Sequence, residues 1–329
     1  MFKRPPLEIT ARILNSVQDI SLLLGKHSDN FQIHSNIRLR KSNNIRTIKS
    51  TVAIEGNSIS LEQVTDILNG VRIVAPEREI REVKNAISVY EKFNEFDAFL
   101  LDDLLKAHDI MMKGLTEESG KFRSTGVCIM KGNECIHLAP PAIEVSGLIS
   151  NLFSYLTESE DSLLIKSCVF HYELEFIHPF YDGNGRMGRL WQQLILAKLH
   201  PILKLVCIEE LLEKFQSEYY AALQRSDQNG SSEDFVEFML GIIKEALRQL
   251  NIKPNNRSDY KSRLHYARNL LTDFKRSDYI KIFQEISTAT ASRDLANGVK
   301  SGILKKSLSN NQTMYTFIND NCVNTGSVI

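Results

Sequence analysis

The stretch HPFYDGNGRMGR, residues 178–189, decides how this chain is read. It sets an imidazole, a carboxylate, two glycines around an asparagine and two guanidiniums side by side, groups that are costly to bury and poor at packing. Gly183, Asn184 and Gly185 can turn successive backbone N–H groups inward as an anion-binding nest, and a helix starting near Arg186 adds its positive end. Arg186 and Arg189, one turn apart on that helix, can both reach a polyphosphate. Asp182, just ahead of the nest, suits a Mg²⁺ that bridges phosphate oxygens. His178 is left as the base, since a neutral imidazole accepts a hydroxyl proton near neutral pH. A lone His beside a Pro, or a lone GNG, would ordinarily be structural; the combination in twelve residues points to function.

Two other phosphate-binding designs are excluded. Gly183, Gly185 and Gly188 spell GxGxxG, but the preceding HYELEFIHPFYD carries two Glu, two His and a Pro and is no buried strand. GLTEESGKF, from Gly114, has one residue too many for a P-loop and places Phe122 where a Ser or Thr would hold Mg²⁺.

Working outward, the helical periods of PPLEITARILNSVQDISLLLG, closing near Gly25, and of REIREVKNAISVYEKFNEF and DDLLKAHDIMMKGL predict amphipathic helices. Ser60 with Gln63 has the form of a capping box for a helix ending near Gly70. FRSTGVCIMKGNECIHLAPP alternates about Lys131, Gly132 and Asn133, so it reads as a hairpin stopped by Pro140 and Pro141. Helical spacing resumes in AIEVSGLISNLFSYL, DSLLIKSCVFHYELEF, MGRLWQQLILAKL, IEELLEKFQSEYYAALQRS and SSEDFVEFMLGIIKEALRQL. After NIKPNNRSDYKS, a linker by composition, come three helices and a polar-tipped hairpin, the order of a winged helix-turn-helix with SRDLANGVKSG as its recognition helix.

The 329 residues, 43% hydrophobic and 24% charged, are those of an ordinary water-soluble protein with room for two or three domains. No stretch is apolar for long enough to span a membrane and MFKRPPLEIT has no apolar signal core, so a cytoplasmic location is expected. Five scattered cysteines suggest neither a disulfide framework nor a zinc site and are expected to be reduced thiols. Charge balances at zero, yet from residue 254 onward eleven Lys or Arg stand against six Asp or Glu, which gives the tail a different choice of partner.

Residues 178–189 resemble the motif of the Fic family, HPFxDGNGRxxR, at every fixed position, and TIKSTVAIEGN, the hairpin and EYYAAL extend the resemblance over residues 1–250. It implies a helical core with a β-hairpin flap, and transfer of AMP from ATP to a Ser, Thr or Tyr hydroxyl of a target protein and of the chain itself. It makes His178 the general base, Asp182 the Mg²⁺ ligand, Arg186 a phosphate clamp and Phe180 a core anchor. The nucleotide-binding set is Asp182, Gly183, Asn184, Gly185, Arg186, Met187, Gly188, Arg189 and Tyr219. The flap, Val127 to Leu138, would hold an extended target segment by strand addition through Ile129, Met130, His137 and Leu138. Thr51, Glu55 and Gly56 fit the family's inhibitory pattern, in which Glu55 would form a two-point pair with Arg189 and deny it to the γ-phosphate.

The family often carries Asn eight residues after the first Tyr of its YY pair, near adenine; here Asp227 follows Tyr219, and base preference stays open. Some members transfer UMP or phosphocholine or remove AMP, and Glu55 could orient a water for removal; the intact GNG and both Arg favour a nucleoside triphosphate. The expected architecture is thus mainly α: a Fic-fold helical core with a β-hairpin flap and a C-terminal winged helix-turn-helix domain. The expected divisions are 1–95, helical with an inhibitory helix; 96–250, catalytic; 251–260, linker; and 261–329, winged helix. The competing class is a DNA-binding regulator whose Fic portion senses, with duplex DNA bound through residues 261–329. Similar proteins often dimerise.

Overall fold

The segment ahead of His178 forms a helix, α7 (Leu163–Ile177), that is buried almost all round, from Leu164 and Cys168 to Phe170, Leu174 and Ile177. A helix buried on nearly every side belongs at the centre of a fold. Behind the motif, α8 (Asn184–Leu199) is equally buried and packs along α7, so the twelve-residue run is the loop of a central helical hairpin. The computed structural model describes residues 2–28, 37–131, 134–250, 259–309 and 312–318. None of the described helices is long and apolar enough to cross a membrane.

Around this hairpin stand α1 (Ala11–Ser28), α2 (Ile37–Ile54), α3 (Leu61–Leu68), α4 (Glu77–Glu91), α5 (Leu101–Met112), the strands β1 (Cys128–Lys131) and β2 (Glu134–Leu138), α6 (Ala142–Glu158), α9 (Ile208–Lys214), α10 (Gln216–Asn229) and α11 (Glu233–Gln249). The core centres on Trp191, which is fully buried and donates its indole N–H to the carbonyl of Ala98 at 2.9 Å. Its replacement by alanine would cost about 3–5 kcal/mol. The Ser60–Gln63 capping box forms as the sequence predicts.

Several expectations are corrected. The first helix runs past Gly25 to Ser28, since Gly25 keeps a negative φ and does not end it. The helix expected across IEELLEKFQSEYYAALQRS breaks at Phe215 (φ −111°, ψ 39°) into α9 and α10. Cys128 and Cys135, expected as thiols, are joined as a disulfide across the flap, with Cα atoms 5.9 Å apart. The hairpin brings together two positions whose spacing of seven carries no signal of pairing. Cys168 and Cys207 are free. The hairpin turn at Gly132 and Asn133, residues 251–258 of the expected linker, and Cys322 lie outside the described residues.

The chain divides into two compact units, Met1–Leu24 with Arg38–Leu250, and Gly25–Ile37 with Asn251–Ile329. The second holds α12 (Tyr260–Arg268), β3 (Asp273–Phe274), α13 (Arg276–Ile282), α14 (Thr288–Lys300), β4 (Leu304–Ser309) and β5 (Gln312–Phe317), with an antiparallel sheet in the order β3-β5-β4. The two-residue β3 was not expected. Leu264, Phe274, Tyr279, Leu295 and Leu304 form its core. Within that core the Arg263 guanidinium holds both carboxylate oxygens of Asp294, at 2.6 and 2.9 Å, and Tyr279 donates to the same carboxylate at 3.2 Å.

Candidate active site

At the end of α7 the chain reverses through His178, the one non-glycine residue with positive φ among those described (φ 50°, ψ 58°). A left-handed backbone costs a β-carbon-bearing residue about 1–2 kcal/mol and persists only where its surroundings fix it. Arg123 does the fixing. This buried guanidinium donates to the carbonyls of His178 (2.7 Å), Ile177 (3.3 Å), Thr125 (2.8 Å) and Pro140 (2.6 Å), and its backbone N–H donates to Pro179. It therefore ties the loop to both feet of the flap.

The imidazole of His178 donates from Nδ1 to the carbonyl of Glu175 at 3.3 Å, which leaves Nε2 with a lone pair as the proton acceptor. Burial lowers its pKa below the ordinary histidine value, with the charge on Glu175 opposing, so it is neutral at pH 7. His108 supports the next turn: it stacks on Phe180 with centroids 3.7 Å apart, its Nε2 lies 3.0 Å from the carbonyl of Asp182, and it accepts from the N–H of Gly120. Burial pushes His108 down to about 4, consistent with a neutral ring that donates on one side and accepts on the other.

Asn184 shapes the nest from within. Its amide accepts from the N–H of Phe180 at 2.9 Å and donates to that residue's carbonyl at 2.8 Å, closing the loop on itself. Gly183 has φ 87°, and a β-carbon there would come within 2.7 Å of the Met112 sulfur. One at Gly185 would come within 2.6 Å of Glu55 and 3.0 Å of Arg189. Gly183 thus needs bare backbone for its left-handed turn, whereas the atoms crowding Gly185 are the ends of two side chains that would have to shift.

Arg189, buried, donates from Nε to the hydroxyl of Thr51 (3.1 Å) and from Nη2 to the carbonyl of Thr51 (3.0 Å) and to Glu55 Oε1 (2.6 Å). The expected two-point carboxylate pair is thus a one-point contact, because Thr51 takes the other donor. Burial works against the Arg189 charge, but Glu55 outweighs it and raises the pKa above the usual arginine range.

A cavity of about 630 Å³ is lined by His178, Asp182, Gly183, Asn184, Gly185, Arg189, Glu55 and Tyr219, with Ile129 and His137 from the flap. Other expected residues stand apart from it. Met187 is fully buried in the core, Gly188 packs against His171, and the exposed Leu138 turns away to solvent. Gly56, with φ 90°, makes the turn after α2, and the side chain of Met130 lies outside the described ones. Arg186 sits behind Asp182, held at 2.9 Å, with its buried Nε unpartnered.

The structure adds residues that sequence reasoning missed, among them Arg123, His108, Tyr220 and Glu175. Glu175 faces the cavity one turn before His178 and accepts from Tyr219 at 3.3 Å. Burial opposes its charge, but His171, His178 and Arg189 prevail and keep its pKa below the usual carboxylate value. Nothing in its spacing separated it from a solvated helix face. Asp227, flagged as a departure, lines the cavity and accepts from His137 (2.8 Å) and Tyr172 (3.0 Å). Burial lowers the pKa of His137, but the bond to Asp227, the bond to the Phe176 carbonyl and the nearby carboxylate charges together raise the imidazole above its ordinary value.

A neutral imidazole, a bare-backbone anion cradle and an arginine thus share one cavity at the turn of a helical hairpin. The profile of the Fic/DOC family matches residues 97–196. A Fic family protein from Desulfovibrio desulfuricans G20 superposes with a TM-score of 0.72 at 35% identity, over 99% of this chain and 100% of that one. The chain belongs to the Fic family. It is also similar to the protein adenylyltransferase fic-1 of Caenorhabditis elegans, 28% identical over 250 residues, 70% of this chain and 45% of the relative. The protein adenylyltransferase Fic of Culex quinquefasciatus is 28% identical over 224 residues, 64% and 42% of the two lengths. The chain spans under half the length of these curated relatives.

Proposed function

We propose that this chain transfers an adenylyl group from ATP to a hydroxyl of a protein, itself included, and that Glu55 restrains it. The observation that carries the reading is the shared cavity: the free Nε2 of His178 opens into the same space as the N–H cradle of residues 183–185 and the guanidinium of Arg189. His178 takes the proton of the target hydroxyl, whose oxygen attacks the α-phosphorus as pyrophosphate leaves. The cradle donates to the phosphate oxygens, where charge builds in the transition state. The names of the curated relatives, protein adenylyltransferases, support this reading.

No three His, Cys, Asp or Glu side chains cluster among the described residues, so a resident metal with an all-protein ligand set does not fit. A lone, partly exposed Asp182 does fit Mg²⁺, which takes its remaining ligands from phosphates and water. That ion would neutralise phosphate charge. Glu55 occupies the Arg189 donor that a γ-phosphate would need, so ATP is held in a poor pose until Glu55 withdraws.

Intact-mass measurement after incubation with ATP and Mg²⁺ tests the reading. One adenylyl group is expected on the wild type, more on Glu55→Gly, and none on His178→Ala. Equal labelling of all three would overturn both the base and the restraint.

For the second unit we propose a winged helix that contacts duplex DNA. Arg293, Lys300, Lys305 and Lys306 are all exposed on α14 and β4. Retention of the chain on duplex DNA that weakens steeply with salt is expected. Retention indifferent to Arg293→Ala with Lys300→Ala would remove the reading.

A further inference from the structure

The first turn of α4 touches two places that matter to the site. On one side Arg78 Nη2 lies 3.3 Å from Asp182 Oδ2. On the other, Glu79 and Glu82 of the same helix grip the residues that follow Glu55: the Asn57 side-chain amide donates to Glu82 at 2.9 Å and to the carbonyl of Glu79 at 3.1 Å, while the N–H and hydroxyl of Ser58 both donate to Glu79 at 2.7 Å. Arg78 joins the halves, because its Nε lies 3.3 Å from the other oxygen of Glu82. A continuous chain thus runs from Asp182 through Arg78, Glu82 and Asn57 to Glu55 and Arg189.

We propose that Arg78 couples occupancy of the Asp182 carboxylate by a divalent cation to the hold on the inhibitory turn Glu55–Ser58. The inference rests on the reading of Asp182 as the cation's ligand and names the regulation of that same site. Arg78 and a dication compete for one carboxylate and repel each other. Of the two arginines on Asp182, Arg186 is buried and pinned, whereas the Arg78 side chain is 66% exposed and free to leave. Once displaced, its remaining partner is Glu82, where its donors compete with the Asn57 amide. The turn that presents Glu55 to Arg189 loses an anchor.

The coupling is reciprocal by thermodynamic necessity. Withdrawal of Glu55 strengthens cation binding by the same factor that cation binding weakens the turn. Exposed pairs of this kind contribute modestly, so the factor is about two- to fivefold.

Two measurements on the full chain test it. In ligand-free protein, hydrogen exchange of the Glu55–Ser58 amides should quicken about two- to fivefold in Arg78→Ala, with Arg78→Lys between it and the wild type. In the presence of ADP, which lacks the γ-phosphate and leaves the Glu55–Arg189 pair uncontested, Mn²⁺ should bind Arg78→Ala about two- to fivefold more tightly, read from the free Mn²⁺ resonance. Mn²⁺ should also quicken the same amides in wild type but not in Arg78→Ala. Unchanged exchange or unchanged Mn²⁺ affinity in Arg78→Ala would overturn the coupling while leaving the transfer reading intact. A wild type that binds neither ADP nor Mn²⁺ would remove both.

Discussion

The two units each bury an arginine against a carboxylate, yet they use the pair in opposite ways. In the second unit Arg263 and Asp294 are 5% and 4% exposed, locked by two bonds and a tyrosine hydroxyl. In the first, Arg189 is 1% exposed while Glu55 is 31% exposed, meets it through one oxygen and looks into a cavity. A pair sealed on both sides holds a fold together, because removing either partner strands a buried charge. A pair with one wet partner can be opened by a competing anion.

That contrast is broken most forcefully at the sealed pair. Asp294→Ala should destabilise the second unit by about 3–5 kcal/mol. In urea it should appear as early loss of part of the circular dichroism, while fluorescence of Trp191, which reports the first unit, keeps its midpoint. Coincident shifts of both signals would mean that the units do not unfold separately.

Next comes a buried acid of a third kind. Glu209, 1% exposed beneath α2, is bonded to the hydroxyls of Tyr90 (3.2 Å) and Thr47 (3.3 Å), and burial raises it from the ordinary 4.5 to about 7. Between those values the folded chain holds a proton that the unfolded chain has lost. Stability therefore falls as pH rises through the window, by about 3 kcal/mol when complete. Glu209→Gln should flatten the unfolding free energy between pH 4.5 and 7; an unaltered slope would assign the pH dependence elsewhere.

At the wet pair, Glu55→Gly should raise adenylyl transfer about tenfold while moving the unfolding free energy by no more than about 1 kcal/mol. A large loss of stability with no gain in transfer would make it another sealed pair. The smallest effect belongs to Tyr279→Phe, which removes one bond to Asp294 and should cost about 1 kcal/mol in the same urea titration.

What could be read in advance divides by range. The motif was legible because His178, the glycine cradle and Arg189 lie within one loop and one helix, where spacing translates directly into placement. Helix α2, which carries Thr51 and leads into Glu55, was not legible as an amphipathic segment: it buries Asn43, Thr47, Ser50 and Thr51, so polar bonding docks it where an apolar stripe would be sought. Its ion pairs Arg46–Glu210 and Lys49–Glu213 look in sequence like a solvated surface. Arg123 and Glu175 were invisible because their partners are backbone carbonyls or residues on distant helices. The break at Phe215 interrupts a run with unbroken helical spacing, and β3 is too short for any period.

Arg123 holds the carbonyls of Ile177 and His178 together with those of Thr125 and Pro140, which flank the flap. The feet of the flap and the loop that carries His178 are therefore tied through one side chain. On the proposed transfer reading, a peptide added along the flap would be measured from that side chain, and a hydroxyl one residue out of step would point to the opposite face. Such a tie would select for where a hydroxyl falls along an extended backbone, ahead of which side chains surround it.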